Sequence, residues 1–518
     1  MLPCEKSRES SVRTKAWLDP SNLFPLFLYP YKKIVVFGMV QSGHKLLRCK
    51  QLFLSVFNMD ISRRRFIQTS LAVATTSLLP ACSVKQSVDG ECNYVYDLTA
   101  QPSTAEIVPG YQTDVLGFNG QIPAPTIRCR QGKPVTIRFT NNLNEPTTIH
   151  WHGLRIPIEM DGVPFLSQPP IMPGETFIYQ FTPPDAGTFW YHPHVNSVVQ
   201  LGMGLVGAII VEESEPVIFA EERELVLKHW HLDKMGQWKD LMIPRYSARM
   251  GTPGEWSTVN GRHHPEYTLK EGATTRLRIA NVDNTITYPI AISGVEAWIV
   301  AIDGNPIVTP RVLEQHKIGP GMRVDLAFIA PEAGSQIEIL QMKGKFPFKL
   351  CQFTTTPSKQ LSAKTLPILP LNPVPNLDLE NAEVLNFVFE WEGAITPASA
   401  SGKAVPKFWL MNKRSWEGMS KDNIPAPLAS LELGKTYIFN LKNVTQYHHP
   451  IHLHGHTFTV LEMDGKPLKE PFHTDTVLLG KNGSAKAAFV ADNPGRWMYH
   501  CHVIEHMKTG LMGYIEVA

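Results

Sequence analysis

No sign of charge dominates this chain: its 518 residues carry 49 Lys plus Arg against 47 Asp plus Glu, and no basic or acidic run stands out. That balance gives no footing for nucleic acid as a partner. Long apolar runs are missing too, and those at residues 23–29 and 34–40 are too short to span a bilayer. Long stretches of helical period are scarce, which turns the reading away from helices. Cysteine is sparse, with seven in all. Cys4 and Cys49 fall in the N-terminal leader, and Cys92, Cys129 and Cys351 are left as structural thiols among which one disulfide is permitted, its pairing open.

What the chain does have is 42 Pro and 36 Gly, evenly spread between short β-branched runs. This is the pattern of all-β sandwiches. The length exceeds one core and predicts three domains of roughly 100 to 150 residues. Residues 94–215 read as a first sandwich, with Pro134-Val135-Thr136-Ile137-Arg138-Phe139 alternating between faces, and 222–357 as a second in the same style. A Pro-, Leu- and Ser-rich linker follows at 358–382, then a third sandwich at 383–518. At the N-terminus, Ser62-Arg63-Arg64-Arg65-Phe66-Ile67 precedes an apolar run at 71–79. That is the layout of a twin-arginine signal over residues 59–82, and it predicts export to the periplasm or cell surface of a bacterium. Met59 then reads as the start and residues 1–58 as an over-extended leader. Leu79-Pro80-Ala81-Cys82 fits lipid anchoring at Cys82 and equally fits ordinary cleavage nearby.

Four pairs spaced His-x-His carry the chemistry: His150 with His152, His192 with His194, His452 with His454, and His500 with His502. Nineteen histidines in a chain of this length give roughly 0.7 such pairs by chance, so four beside strand-like segments are a signal. On a strand, residues i and i+2 share a face, so each pair offers two adjacent imidazoles, donors that suit copper. Alternation also places Cys501 on the face opposite His500 and His502. One strand can then give a thiolate to one metal and imidazoles to another. A Cys with two His is the ligand set of a blue-copper site, and His449 and His506 are free to complete it. Zinc is disfavoured, because eight imidazoles exceed what a tetrahedral site uses. The further pairs His229/His231 and His454/His456 read as packing or surface in respect of His229, His231 and His456, as do His263, His264, His316 and His473.

Phe118-Asn119-Gly120-Gln121-Ile122-Pro123, His150-Trp151-His152-Gly153, Trp190-Tyr191-His192-Pro193-His194 and the two C-terminal clusters resemble, in order, the copper signatures of the multicopper oxidases. The resemblance runs from about residue 94 to the end. It implies three cupredoxin-like Greek-key β-sandwich domains and four coppers. Type 1 copper would lie on His449, Cys501 and His506, and type 2 on His150 and His452. The type 3 pair would lie on His152, His192 and His502 for one ion and on His194, His454 and His500 for the other. The implied activity couples four one-electron substrate oxidations to reduction of O2 to water.

Asp161 stands where the family keeps a carboxylate near type 2 copper, which makes it a proton relay, or else a turn residue in Met160-Asp161-Gly162. The carboxylate that bacterial relatives often place directly after the last type 1 histidine is Met507 here, and Glu505 precedes that histidine. The axial type 1 position falls on Leu511, a non-ligand, with Met512 next to it as the alternative. Expected substrates are phenols, as in laccases, with Fe(II) or Cu(I) as the runner-up; residues 355–405 hold no Met, which weighs against Cu(I). Two rival readings are a copper-free structural member of the fold, as in cell division, and a two-domain nitrite reductase. The full ligand set opposes both.

Overall fold

The computed structural model describes residues 83–86, 92–344, 346–359, 363–393, 407–416 and 419–518. The leader, the twin-arginine motif and Cys82 lie outside the described residues, as do the Cys92 side chain and residues 360–362 and 394–405 of the Met-free stretch. Among the described residues, no helix is long and apolar enough to cross a membrane.

The strands assemble into six sheets that pair into three sandwiches. In the first, Cys92–Val108 runs parallel to Val135–Asn141, which pairs antiparallel with Thr176–Phe181. Against that sheet lies one ordered Ile127–Arg130, Gly207–Glu212, Gly187–His192, His150–His152. Val135, Ile137 and Phe139 point inward from one sheet to meet Trp151, Tyr191 and Ile209 from the other. Each such side chain contributes about 1.5–3 kcal/mol by leaving water. The middle sandwich joins a six-stranded sheet around Thr274–Asn281 and Arg323–Ile329 to a five-stranded one. The third repeats that plan, with Thr436–Asn443 and Ser484–Val490 central in one sheet and Gly495–Cys501 beside His449–Leu453 in the other.

A shared turn marks the three as copies of one design. The parallel partner strand of each sandwich ends on an asparagine, namely Asn141, Asn281 and Asn443. In all three, Oδ1 accepts the backbone N–H two residues on, and Nδ2 donates to two carbonyls of neighbouring loops. The side chain replaces backbone partners where the strand leaves its ladder.

Three features go beyond what the sequence specifies. The polar residues of the middle strands do not face water: Arg276, Arg278 and Asp325 are buried against the first sandwich, where Arg276 pairs with Glu213 and Asp325. Losing one partner of such a buried pair costs about 3–5 kcal/mol, so these charges fix the docking of the two domains. Within the 358–382 linker, the described residues from 363 onward are tied down as a strap. Asn372 exchanges hydrogen bonds with both backbone groups of Ala186, Arg155 donates to the Pro373 carbonyl, and Leu369 is buried beside Phe219 and Val300. The disulfide permitted by composition does not form. Cys129 and Cys351 are free, buried in different sandwiches, and burial pushes each thiol up to about 12.

Candidate metal centre

The first and third sandwiches each supply two adjacent strands to one locus. His150 pairs across the ladder with His192 and His152 with Trp190, while His452 lies opposite His500. The sheets meet so that His152 stacks on His452 at 3.8 Å and His150 on His454 at 3.7 Å between ring centroids. All eight imidazoles are buried. Their ligand atoms fall into tight groups, including His150 with His152 and His192, and His194 with His454 and His500, each within 4.8 Å.

Hydrogen bonding assigns which nitrogen of six of the eight rings faces the centre. Nδ1–H is donated to a carbonyl by His150 (Asp161, 2.9 Å), His192 (Pro193, 3.1 Å), His452 (Asp475, 2.9 Å) and His500 (Cys501, 3.0 Å). His454 donates its own to the Asp161 carboxylate at 3.0 Å. These five therefore turn Nε2 inward. His152 is reversed, giving Nε2–H to Asp475 at 3.1 Å and leaving Nδ1 free. Neither ring nitrogen of His194 or His502 has a protein partner, nor has Nε2 of His150, His192 or His452. Buried polar atoms without partners are costly, and so many converging lone pairs call for a cation. Burial first, then the neighbouring imidazoles, holds His192, His194, His454, His500 and His502 well below the usual histidine range. They are neutral, the form a metal needs.

The second group lies on the other side of the same strand. Cys501 Sγ is 3.5 Å from His449 Nδ1 and 3.6 Å from His506 Nδ1, and the two nitrogens are 3.2 Å apart. A triangle of that size has its centre about 2 Å from each corner, a metal–ligand bond length. His449 Nε2 is held by Thr445 Oγ1 at 2.9 Å, and His506 donates Nε2–H to the Arg249 carbonyl at 2.8 Å, so both Nδ1 atoms are directed at the thiol. Burial pushes the Cys501 thiol well up, and a bound cation is what would convert it to thiolate. Leu511 shares the core around Cys501, whereas Met512 packs in a different cluster with Met507 and Ile504.

The structure thus brings together all eleven copper-ligand residues named from sequence, in two groups. Asp161 reaches both domains, accepting from His150 through its carbonyl and from His454 through its carboxylate. Glu505 turns away from both centres. It accepts from Ser247 Oγ, Thr252 N–H and Thr252 Oγ1, and so ties a segment of the middle sandwich over His506. His229, His231 and His456 stay outside the groups, on Tyr288 and on backbone carbonyls of Thr252 and His454. Sequence reasoning missed Asp475, which touches His152 and His452, and Arg323, which pairs with it. Nothing local sets either apart from an ordinary strand residue.

Comparison with known proteins agrees with this geometry. Three family models described as multicopper oxidase match residues 99–216, 224–336 and 396–518. The crystal structure of a multi-copper oxidase from Pseudomonas thermotolerans is 46% identical with a TM-score of 0.76, covering 83% of this chain and 100% of that one. A multicopper oxidase of Mycobacterium tuberculosis is 27% identical over 87% of this chain and 95% of its own. A laccase of Botryotinia fuckeliana is 28% identical, covering 81% of each. The chain belongs to the multicopper oxidases. It is a copper-dependent oxidoreductase that couples oxidation of reducing substrates to reduction of O2, and the donor set described above fits copper.

Proposed function

We propose that the enzyme is a laccase-type oxidase of phenols, with His449, Cys501 and His506 holding type 1 copper. His150 and His452 hold type 2 copper. The type 3 pair is held by His152, His192 and His502 and by His194, His454 and His500. Bound copper supplies one-electron redox chemistry at the first site and four-electron reduction of O2 at the second. The chain's own contribution is connection: Cys501 is covalently joined to His500 and His502, so thiol and imidazoles of the two sites are linked through a few bonds of one strand. Asp161 fixes His150 and His454 from its place between the domains and is the carboxylate positioned to hold a proton there.

The observation that favours phenols over metal ions lies outside His506. The segment covering it carries Arg245 and Arg249, both exposed and neither with an acidic partner among the described residues, an arrangement unfavourable to Fe(II) and Cu(I). Beside it is a cavity of about 470 Å³, large enough for a one-ring aromatic, whose lining joins Trp238, Ile243, Arg245 and Tyr246 to two carboxylates, Asp240 and Glu255, the latter neutralised by its ion pair with Lys239. Oxygen uptake with a phenol, Fe(II) and Cu(I) as competing substrates tests the reading. The phenol is expected to give the highest kcat/KM, and faster turnover of either ion would replace laccase by metallo-oxidase.

Asp161→Asn is expected to retain its copper and to lower turnover about 10- to 100-fold, the cost typical of losing a carboxylate behind a metal ligand. The deficit should deepen as pH rises and protons become scarce. A turnover equal to wild type across the pH range would return Asp161 to a turn residue. Leu511→Met offers a thioether where the wild-type site has only apolar contact, which stabilises Cu(II) relative to Cu(I). The potential of the blue band should fall by at least the ~59 mV that a tenfold change in a one-electron equilibrium represents. No shift, or a shift produced instead by Met512→Leu, would move the axial assignment.

We further propose that the protein is exported by the twin-arginine route to the periplasm or cell surface, with translation from Met59 and with Cys82 as the residue open to lipidation. The motif Ser62-Arg63-Arg64-Arg65-Phe66-Ile67 supports this. Lysine at all three arginines should leave the enzyme in the cytoplasmic fraction.

A further inference from the structure

The middle sandwich supplies no copper ligand, yet its loop before Arg323–Ile329 is pressed against the ligand rings. Gly321 sits at φ +87°, and a Cβ there would come 2.9 Å from the His502 ring and 3.0 Å from His152 Cε1. Its carbonyl accepts the Trp190 indole N–H at 3.1 Å. Arg323 follows, with no exposure to solvent. Its guanidinium donates to Asp475 Oδ1 at 3.0 Å and Oδ2 at 2.6 Å, and through Nε to the Thr188 carbonyl of the first sandwich at 3.0 Å. One side chain thus joins all three domains at the edge of the histidine cluster.

We infer that Arg323 and Asp475 are a positioning pair that locks His152 with Nε2 protonated, so that this ring, unlike the five others fixed by a hydrogen bond, is held with Nδ1 toward the copper cluster. The inference rests on the assignment of His152 as a copper ligand. Five other ligand rings are fixed by Nδ1–H donation, four to carbonyls and one to Asp161, and all present Nε2. His152 is reversed because the acceptor on its Nε2 side is a carboxylate already oriented from behind. Asp475 Oδ1 receives His152 Nε2–H at 3.1 Å, Thr476 Oγ1–H at 2.7 Å and Arg323 Nη1–H at 3.0 Å, while Oδ2 takes Arg323 Nη2–H. Every group hydrogen-bonded to this carboxylate is a donor, and an ionised carboxylate only accepts, so His152 can approach it only as a donor; Asp303 steadies Arg323 as well. The backbone carbonyl of the same residue fixes His452, so Asp475 sets two ligands from two domains.

Asp475→Asn tests this at nearly constant volume. The amide offers one acceptor oxygen to a site that needs two, and Arg323 retains it; the NH2 then faces His152 as a donor and drives the proton to Nδ1, against the copper. The variant should keep the blue absorption of type 1 copper while copper retention at the cluster weakens about 10- to 100-fold and the near-ultraviolet absorption of the type 3 pair is lost. Full copper content with unaltered near-ultraviolet absorption would overturn the inference. If Asp475→Asn loses the blue band and so fails to fold, Arg323→Lys decides by the same two readouts, since one ammonium cannot span both carboxylate oxygens and the Thr188 carbonyl. His152→Ala is the reference. If it too retains all copper and the type 3 absorption, the ligand assignment fails; if it loses them and Asp475→Asn does not, only the positioning role fails.

Discussion

Cys501→Ser is expected to yield a folded, colourless protein whose oxygen uptake falls to background. The blue absorption of such a site arises from the thiolate–copper bond, and a serine hydroxyl is too poor and too hard a donor to replace it. The fold should survive because the substitution is nearly isosteric and the surrounding core of Ile451, Leu453, Val503 and Leu511 is unaltered. Burying a hydroxyl there without a partner costs about 1–3 kcal/mol, a fraction of the stability of a chain with three cores. His449 and His506 stay aligned by Thr445 and Arg249, so a colourless ion can remain bound. Activity is nevertheless lost, because the covalent link from the substrate side to His500 and His502 starts at that sulfur. The visible spectrum and an oxygen electrode read both effects, and a persistent blue band would remove Cys501 from the type 1 site.

The ligands were legible because their signal is local. A period-two strand puts i and i+2 on one face whatever the rest of the chain does, so His150/His152 and His500/His502 declare a shared site, and Cys501 between two of them declares a second site behind it. Sandwich strands such as Val135–Asn141 were legible for the same reason, with burial that alternates along the strand. The Asn141, Asn281 and Asn443 turns lie in plain view after each strand, but one asparagine after a strand is unremarkable. Only their identical hydrogen bonds make them a repeat.

What sequence did not disclose depends on contacts between remote segments. Arg276 and Arg278 alternate with apolar residues as solvent-facing charges do, and the period cannot say that another domain covers that face. Arg323 and Asp475 are 152 residues apart, and Asp475 and His152 are 323 apart. Each is an isolated charge until three domains meet. Glu505 adjoins His506 in sequence but precedes it, and the short helix Ile504–Lys508 turns its carboxylate to Ser247 and Thr252 of the middle sandwich, partners that sequence could not name.

His454→Ala should separate the two halves of the reaction. His454 lies on the cluster side, with Nε2 3.1 Å from His500 Nε2 and Nδ1–H bonded to Asp161, and it has no contact with the group of His449, Cys501 and His506. The Cys501 thiolate and its two histidines therefore keep their geometry, and the blue colour should persist. Truncation removes one donor from the group His194, His454, His500 and a stacked partner from His150, and it leaves the Asp161 carboxylate with His150 as its remaining imidazole neighbour. With two donors remaining where three converge, the cluster should not hold its full copper complement, and electrons delivered to the blue site have no acceptor. Mixed with a phenol in air, the variant should bleach as rapidly as wild type, stay bleached, and show oxygen uptake reduced at least about 1,000-fold, equivalent to some 4 kcal/mol of lost barrier lowering. Stopped-flow absorbance and an oxygen electrode measure the two halves independently. Bleaching followed by recovery of the blue band at the wild-type rate would show that His454 holds no copper needed for oxygen reduction.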